Sequence, residues 1–171
     1  EILWPASADI DRLEFQNVAI RQMVYLHSIG KNILLADEMR VGKSIEICGF
    51  INAVKPKKIL ILCPNNLKYQ WRDLVTSLLF DKYEMEVAGS SIFMFSDLVI
   101  INYEALKNFG DALKSVEWDL IVADEAHYLK NANALRSQMT YGLKGKCFIF
   151  ATGSPIMNYP YEIFPLVHKL A

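Results

Sequence analysis

The sequence predicts an α/β domain with a mainly parallel central sheet flanked by helices, and two observations carry that prediction. Five short stretches are apolar at nearly every position, and segments with helical spacing of apolar residues separate most of them. A strand that is apolar throughout, rather than at alternate positions, has both faces covered, as strands of parallel sheets do. Such strands alternating with helices make an α/β architecture.

The strand-like stretches are residues 32–36, 58–63, 97–101, 119–123 and 147–151. Between the first two, Lys43–Val54 follows Gly42 and fits a helix. After the second, residues 67–79 carry Leu67, Trp71, Leu74, Val75 and Leu78, which line one helical face. Residues 80–96 fit either a further strand or an edge loop. The chain has 171 residues, 53% of them hydrophobic, enough for one ordinary core. No repeat, low-complexity tract or Gly/Ser linker divides it, so residues 1–171 are expected to form one domain.

No run approaches the roughly 18 apolar residues of a membrane span. The expectation is an intracellular protein without a membrane partner, in the cytoplasm or nucleoid, or in the nucleus of a eukaryote. Cys48, Cys63 and Cys147 sit in or beside apolar runs with no paired spacing, which reads as reduced core thiols. A formal net charge of -1 gives no overall attraction to nucleic acid, so any such contact must come from local donors and cations. The chain begins at Glu1 without a methionine and ends at Ala171 just after a helical pattern, as a processed product or a piece of something larger would.

The segment Ile33-Leu34-Leu35-Ala36-Asp37-Glu38-Met39-Arg40-Val41-Gly42-Lys43-Ser44 is a buried strand, a turn and the start of a helix. That order creates an anion site, because turn amides and the helix N-terminus point their N–H groups at one spot. Lys43 would reach the β- and γ-phosphates of a nucleotide, and Ser44 would offer its hydroxyl to magnesium. Asp37 stands where the strict phosphate-loop pattern has its first glycine. An ordinary strand-to-helix turn with a solvated lysine is the other reading.

Asp119-Leu120-Ile121-Val122-Ala123-Asp124-Glu125-Ala126-His127 is an apolar strand that delivers two carboxylates at its C-terminal end, 81 residues after Lys43. Catalytic groups of open α/β sheets gather at that edge. Asp124 can hold magnesium, and Glu125 can orient and deprotonate an attacking water; two solvated acids opening a loop are the alternative. A third strand end, Phe148-Ile149-Phe150-Ala151-Thr152-Gly153-Ser154-Pro155, can pass close to His127 and couple the nucleotide state to motion, or be a plain turn. Trp71, Trp118, Phe148 and Phe150 read as core aromatics, and His27 and His168 have no partner at metal-ligand spacing.

Taken together, these segments resemble the Swi/Snf-type ATPases, motors of helicase superfamily 2 that translocate along duplex DNA. Leu35 to Ser44 looks like the family's LADEMGLGKT, which also carries Asp in place of the first glycine. Asp124-Glu125-Ala126-His127-Tyr128-Leu129-Lys130-Asn131 resembles DEAHxLKN, and Thr152-Gly153-Ser154-Pro155-Ile156-Met157-Asn158 resembles TGTPxxN. Pro64-Asn65-Asn66-Leu67 with Trp71, and Ile101-Asn102-Tyr103-Glu104, are similar to two intervening family segments, and Phe15-Gln16 to the pair that reads adenine. Pro160 before Glu162 is similar to the DNA-annealing, fork-remodelling subgroup. Arg40 replaces a family glycine and Ser44 a threonine; the Arg40 side chain is expected in solvent, with a γ-phosphate or partner-lobe contact as the alternative.

The resemblance implies a three-layer RecA-like P-loop lobe that takes ATP and magnesium. It implies nucleotide contacts from Gln16, Met39, Arg40, Val41, Gly42, Lys43 and Ser44, with Ser44 and Asp124 on the metal. Lys43, Asp124 and Glu125 are the implied catalytic residues, and His127, Thr152, Gly153 and Ser154 the coupling ones. Double-stranded DNA would meet Asn65, Asn66, Lys68, Asn102, Lys130 and Asn131. Asn65 or Asn66 is expected to cap the helix starting near Leu67, leaving free N–H groups for a backbone phosphate. A second RecA-like lobe, whose motifs this chain lacks, would complete the site, so the lobe alone is expected to be inactive or nearly so. Other readings are a lobe of another superfamily 2 motor, such as an RNA helicase or restriction-type translocase, and a turnover-deficient regulatory module.

Overall fold

The computed structural model describes residues 14–36, 42–89 and 96–153. Within them, six strands form one sheet in the order β1-β6-β5-β2-β4-β3, and every neighbouring pair is parallel. The strands are β1 (Ile33–Leu35), β2 (Ile59–Cys63), β3 (Met85–Val87), β4 (Leu98–Asn102), β5 (Glu117–Ala123) and β6 (Lys144–Ala151). Helices α1 (Glu14–Ser28), α2 (Lys43–Val54), α3 (Lys68–Leu78), α4 (Leu106–Lys114) and α5 (Leu135–Tyr141) cover it.

The apolar runs are explained by burial on both faces. Along β2, Ile59, Ile61 and Cys63 enter one apolar layer, while Leu60 and Leu62 enter the other. The same alternation runs along β4, β6 and residues 120–123 of β5, as the pleat requires. Ile20, Met23, Ile47, Phe50, Trp71 and Val75 bring α1, α2 and α3 onto the first layer; Leu106 and Leu113 bring α4 onto the second. The sheet is therefore the middle of three layers.

Side chains fasten the N-terminal edge of the sheet. Oδ2 of Asp119, in β5, accepts the backbone N–H groups of Lys57 at 2.9 Å and Lys58 at 3.1 Å, fixing the start of β2. Oδ1 of Asp119 accepts from Lys146 Nζ at 2.6 Å, and Oδ1 of Asn32 accepts from the backbone of Phe148 at 2.8 Å. Burial works to raise the Asp119 carboxyl, but the Lys146 bond and the two backbone donors outweigh it and hold the group below its ordinary value. Cys48, Cys63 and Cys147 are free and buried; burial pushes the first two thiols to about 12 and the third to about 11.

Two sequence expectations change. The ambiguous stretch after α3 contains a real edge strand, β3, all of whose residues are only partly buried, which is why no apolar run marks it. The asparagine cap is a correction: neither Asn65 nor Asn66 caps α3, which has no side-chain cap hydrogen bond. A 3-10 turn, Asn65–Leu67, runs straight into α3, and the N–H of Leu67 donates to the Pro64 carbonyl at 2.9 Å. Proline begins such a turn with its φ already set, so the asparagine side chains are left for other partners.

Candidate functional site

Strands β1 and β5 both flank β6, so their C-terminal ends stand two strand spacings apart, roughly 10 Å. Gly42, immediately before α2, is left-handed at φ 93°. That φ strains any residue with a side chain, and a Cβ there would stand 2.5 Å from Nε2 of Gln16, which would have to move. Gln16 is buried on α1, so the residue expected to read adenine lies against the phosphate turn. Gly42, Lys43 and Ser44 line a cleft of about 300 Å3 together with Asp124 and Glu125, and Gln70 and Trp71 of α3 form its wall. The residues that sequence spacing separates by 81 positions thus share one cavity.

Asp124 is buried, and each of its carboxylate oxygens accepts one hydrogen bond. Its Oδ2 accepts the indole N–H of Trp71 at 2.8 Å, and its Oδ1 accepts the backbone N–H of Glu125 at 2.9 Å. The hydroxyl of Tyr103 donates to its main-chain carbonyl at 2.6 Å. Burial holds the carboxyl above its ordinary range; the Trp71 and Glu125 donors and the Lys43 charge oppose that rise without cancelling it. A desolvated carboxylate facing a cleft with a serine hydroxyl and a lysine suits a hard cation shared with phosphates.

Glu125 stands in left-handed backbone at φ 50° and ψ 50°, a conformation costing a non-glycine residue about 1–3 kcal/mol. The 3-10 turn Ala126–Leu129 follows directly. Oε2 of Glu125 lies 3.1 Å from Nδ1 of His127, a charge contact when the ring is protonated but not a hydrogen bond of good angle. Thr152, at the end of the middle strand β6, is buried and donates its N–H to Leu35 at 3.0 Å, between the two strand ends that build the cleft. Gly153 follows it; Met39, Arg40, Val41 and Ser154 lie outside the described residues, as do Pro160, Glu162 and His168.

The residues expected to meet DNA fall at the ends of three adjacent strands, β5, β2 and β4, on the rim that carries the cleft. Asn65 and Asn66 are exposed. Nζ of Lys68 donates to the Ala88 carbonyl at 3.0 Å, and the Asn102 amide donates to Glu104 Oε2 at 2.8 Å. That bond holds the Glu104 carboxyl below its ordinary value. Lys130 is partly buried and Asn131 exposed, just past the acidic turn.

Sequence reasoning missed how the aromatics serve this rim. Trp71 and Tyr103 are core residues by burial, yet each hydrogen-bonds Asp124. Tyr128 stacks on Tyr103 at 5.6 Å, and Arg136 covers Tyr128 at 5.5 Å while its Nε donates to the Tyr128 carbonyl at 2.7 Å. A larger cavity of about 410 Å3, lined by His27, Phe50, Pro56, Asp119 and Lys146, opens at the other edge of the sheet, away from these groups. The described helices include none long and apolar enough to cross a membrane.

The SNF2-related domain model matches residues 15–171. Switch 2 of Arabidopsis thaliana is 25% identical over 98% of this chain and 22% of its own length. The ISWI chromatin-remodeling complex ATPase ISW1 of Saccharomyces cerevisiae is 26% identical over 97% of the chain and 16% of its own. The uncharacterized ATP-dependent helicase YqhH of Bacillus subtilis is 32% identical over 88% and 28%. The chain thus spans less than a third of these relatives. A Sulfolobus solfataricus SWI2/SNF2 ATPase core in complex with dsDNA superposes with a TM-score of 0.87 at 24% identity, covering 99% of this chain and 38% of that one. With the phosphate turn and acidic box on one rim of a RecA-like parallel sheet, the chain belongs to the SNF2-related domain family.

Proposed function

We propose that this chain is the ATP-binding lobe of a motor that translocates along double-stranded DNA, working with a second RecA-like lobe. The observation that carries it is the single cleft shared by Gly42, Lys43, Ser44, Asp124 and Glu125. Lys43 and the first amides of α2 bind the β- and γ-phosphates. Gln16 reads the adenine, and Met39, Arg40, Val41 and Gly42 complete the phosphate-binding loop. Ser44 and Asp124 supply oxygen donors for magnesium, which when bound offsets charge on the transferring phosphoryl group. Glu125 orients the attacking water and takes its proton.

His127, Thr152, Gly153 and Ser154 link the cleft to the second lobe, and Asn65, Asn66, Lys68, Asn102, Lys130 and Asn131 hold duplex backbone. Contacts of that kind position the duplex without reading bases, so affinity falls steeply with salt and tolerates sequence. Adjacent strand ends on the cleft rim give those residues a common surface. The test pairs two variants: Lys43→Ala should lose nucleotide binding, while Glu125→Gln should keep it and lose turnover in the two-lobed protein. Unchanged ATP affinity in Lys43→Ala would overturn the reading; stimulation of the two-lobed protein by RNA rather than duplex DNA would redirect it to an RNA motor.

A further inference from the structure

Asp124 is gripped from both faces of the sheet. Trp71 belongs to the apolar layer of α1 and α2, and Tyr103 to the opposite layer with α4. Both nevertheless donate to Asp124, the indole N–H to the carboxylate at 2.8 Å and the phenol O–H to the main-chain carbonyl at 2.6 Å. Each aromatic residue is only 1% exposed, so neither donor has water as an alternative partner.

Each donor is also tied to a rim segment. Trp71 lies three residues beyond Lys68 in α3, the helix continuous with the Asn65–Leu67 turn, so the two residues share a helical face. Tyr103 directly follows Asn102, and its ring lies under the Tyr128 and Arg136 stack. Each segment thus stands one hydrogen bond away from Asp124.

We propose that Trp71 and Tyr103 are positioning residues, a two-sided aromatic clamp through which duplex engagement at residues 65–68 and 102–104 sets the magnesium affinity of the cleft, given the DNA track and metal carboxylate proposed above. Without the indole N–H, Oδ2 of Asp124 stays buried and loses the donor that orients it. Loss of such outer partners typically weakens metal binding by about 10- to 100-fold. Binding linkage is reciprocal, so duplex and magnesium-nucleotide strengthen each other by one common factor, which the clamp transmits.

The experiment measures equilibrium binding of a fluorescent ADP to the 171-residue chain, with magnesium or EDTA, and with or without a short duplex. Trp71→Phe should cut the magnesium-dependent gain in affinity by on the order of tenfold; Tyr103→Phe should bring the duplex-dependent factor towards one. Trp118→Phe is the control, since it removes a comparable bond, indole to Leu113 carbonyl at 3.1 Å, near the far end of β5, and should leave both factors intact. The Trp71 indole resonance, one of three in the chain, should shift on adding magnesium-ADP and again on adding duplex.

Wild-type factors in both Trp71→Phe and Tyr103→Phe, or equal losses in Trp118→Phe, overturn the clamp. If Trp71→Phe does not fold, Tyr103→Phe and the wild-type resonance decide, and a resonance that duplex leaves unmoved overturns it. A wild-type chain that binds ADP without any magnesium dependence, or binds no duplex, overturns the proposed function instead.

Discussion

Two residues other than glycine, Lys55 and Glu125, have positive φ among those described, and they differ in purpose. Glu125 holds its strain at the cleft, where the bend turns the chain directly out of β5 into the acidic turn. Lys55 holds its strain at the end of α2, with φ 54° and ψ 53°, where its N–H donates to the Ile51 carbonyl. A glycine there would make the same bond without the Cβ conflict. Lys55→Gly should therefore raise unfolding stability by about 1 kcal/mol in denaturant melts, while Lys55→Ala should not. At this scale the sequence is readable only where chemistry is local. Gly42, Lys43 and Ser44 can be read as a candidate phosphate turn because their neighbours in sequence are their neighbours in space. Trp71 and Tyr103 reach Asp124 across 53 and 21 positions, and nothing in either segment's pattern points to that partner.

Elements were legible in proportion to how completely they are buried. The expected helix Lys43–Val54 and all five expected strands are present, because strands with both faces covered leave continuous apolar runs. Helix α5 has no such mark: Ser137 and Thr140 occupy its buried face, and its hydroxyls are satisfied by carbonyls of Leu129 and Arg136. Helix α4 contains a glycine in its middle because α5 packs so closely that a Cβ at Gly110 would stand 2.8 Å from Sδ of Met139. At the N-terminal edge, Asp119 joins three elements by one carboxylate, and its side chain is 23% exposed. Its folded value lies below the ordinary 3.8, so its contribution is present above that value and is lost as pH falls through the folded one. Asp119→Asn should cost on the order of 1 kcal/mol at neutral pH, and its stability should fall less steeply on acidification than that of the wild type.

For the whole molecule, the open rim of the sheet sets what one lobe can do. Among the described residues its cleft carries Lys43, Ser44, Asp124 and Glu125 but no arginine, and an arginine brought to the transferring phosphoryl group by the proposed second lobe would be worth on the order of 10³ to 10⁵ in rate. The chain alone should bind nucleotide with negligible turnover; robust duplex-stimulated hydrolysis by these 171 residues alone would contradict that. The topology also has a consequence for biosynthesis. Among the described residues, β1 pairs only with β6, matching Ile33 to Ile149. The strand that leads towards Gly42 is made more than a hundred residues before β6, its hydrogen-bonding partner. Until then its apolar side chains must wait unpaired, so a nascent chain stalled before residue 144 is expected to be the species that chaperones hold.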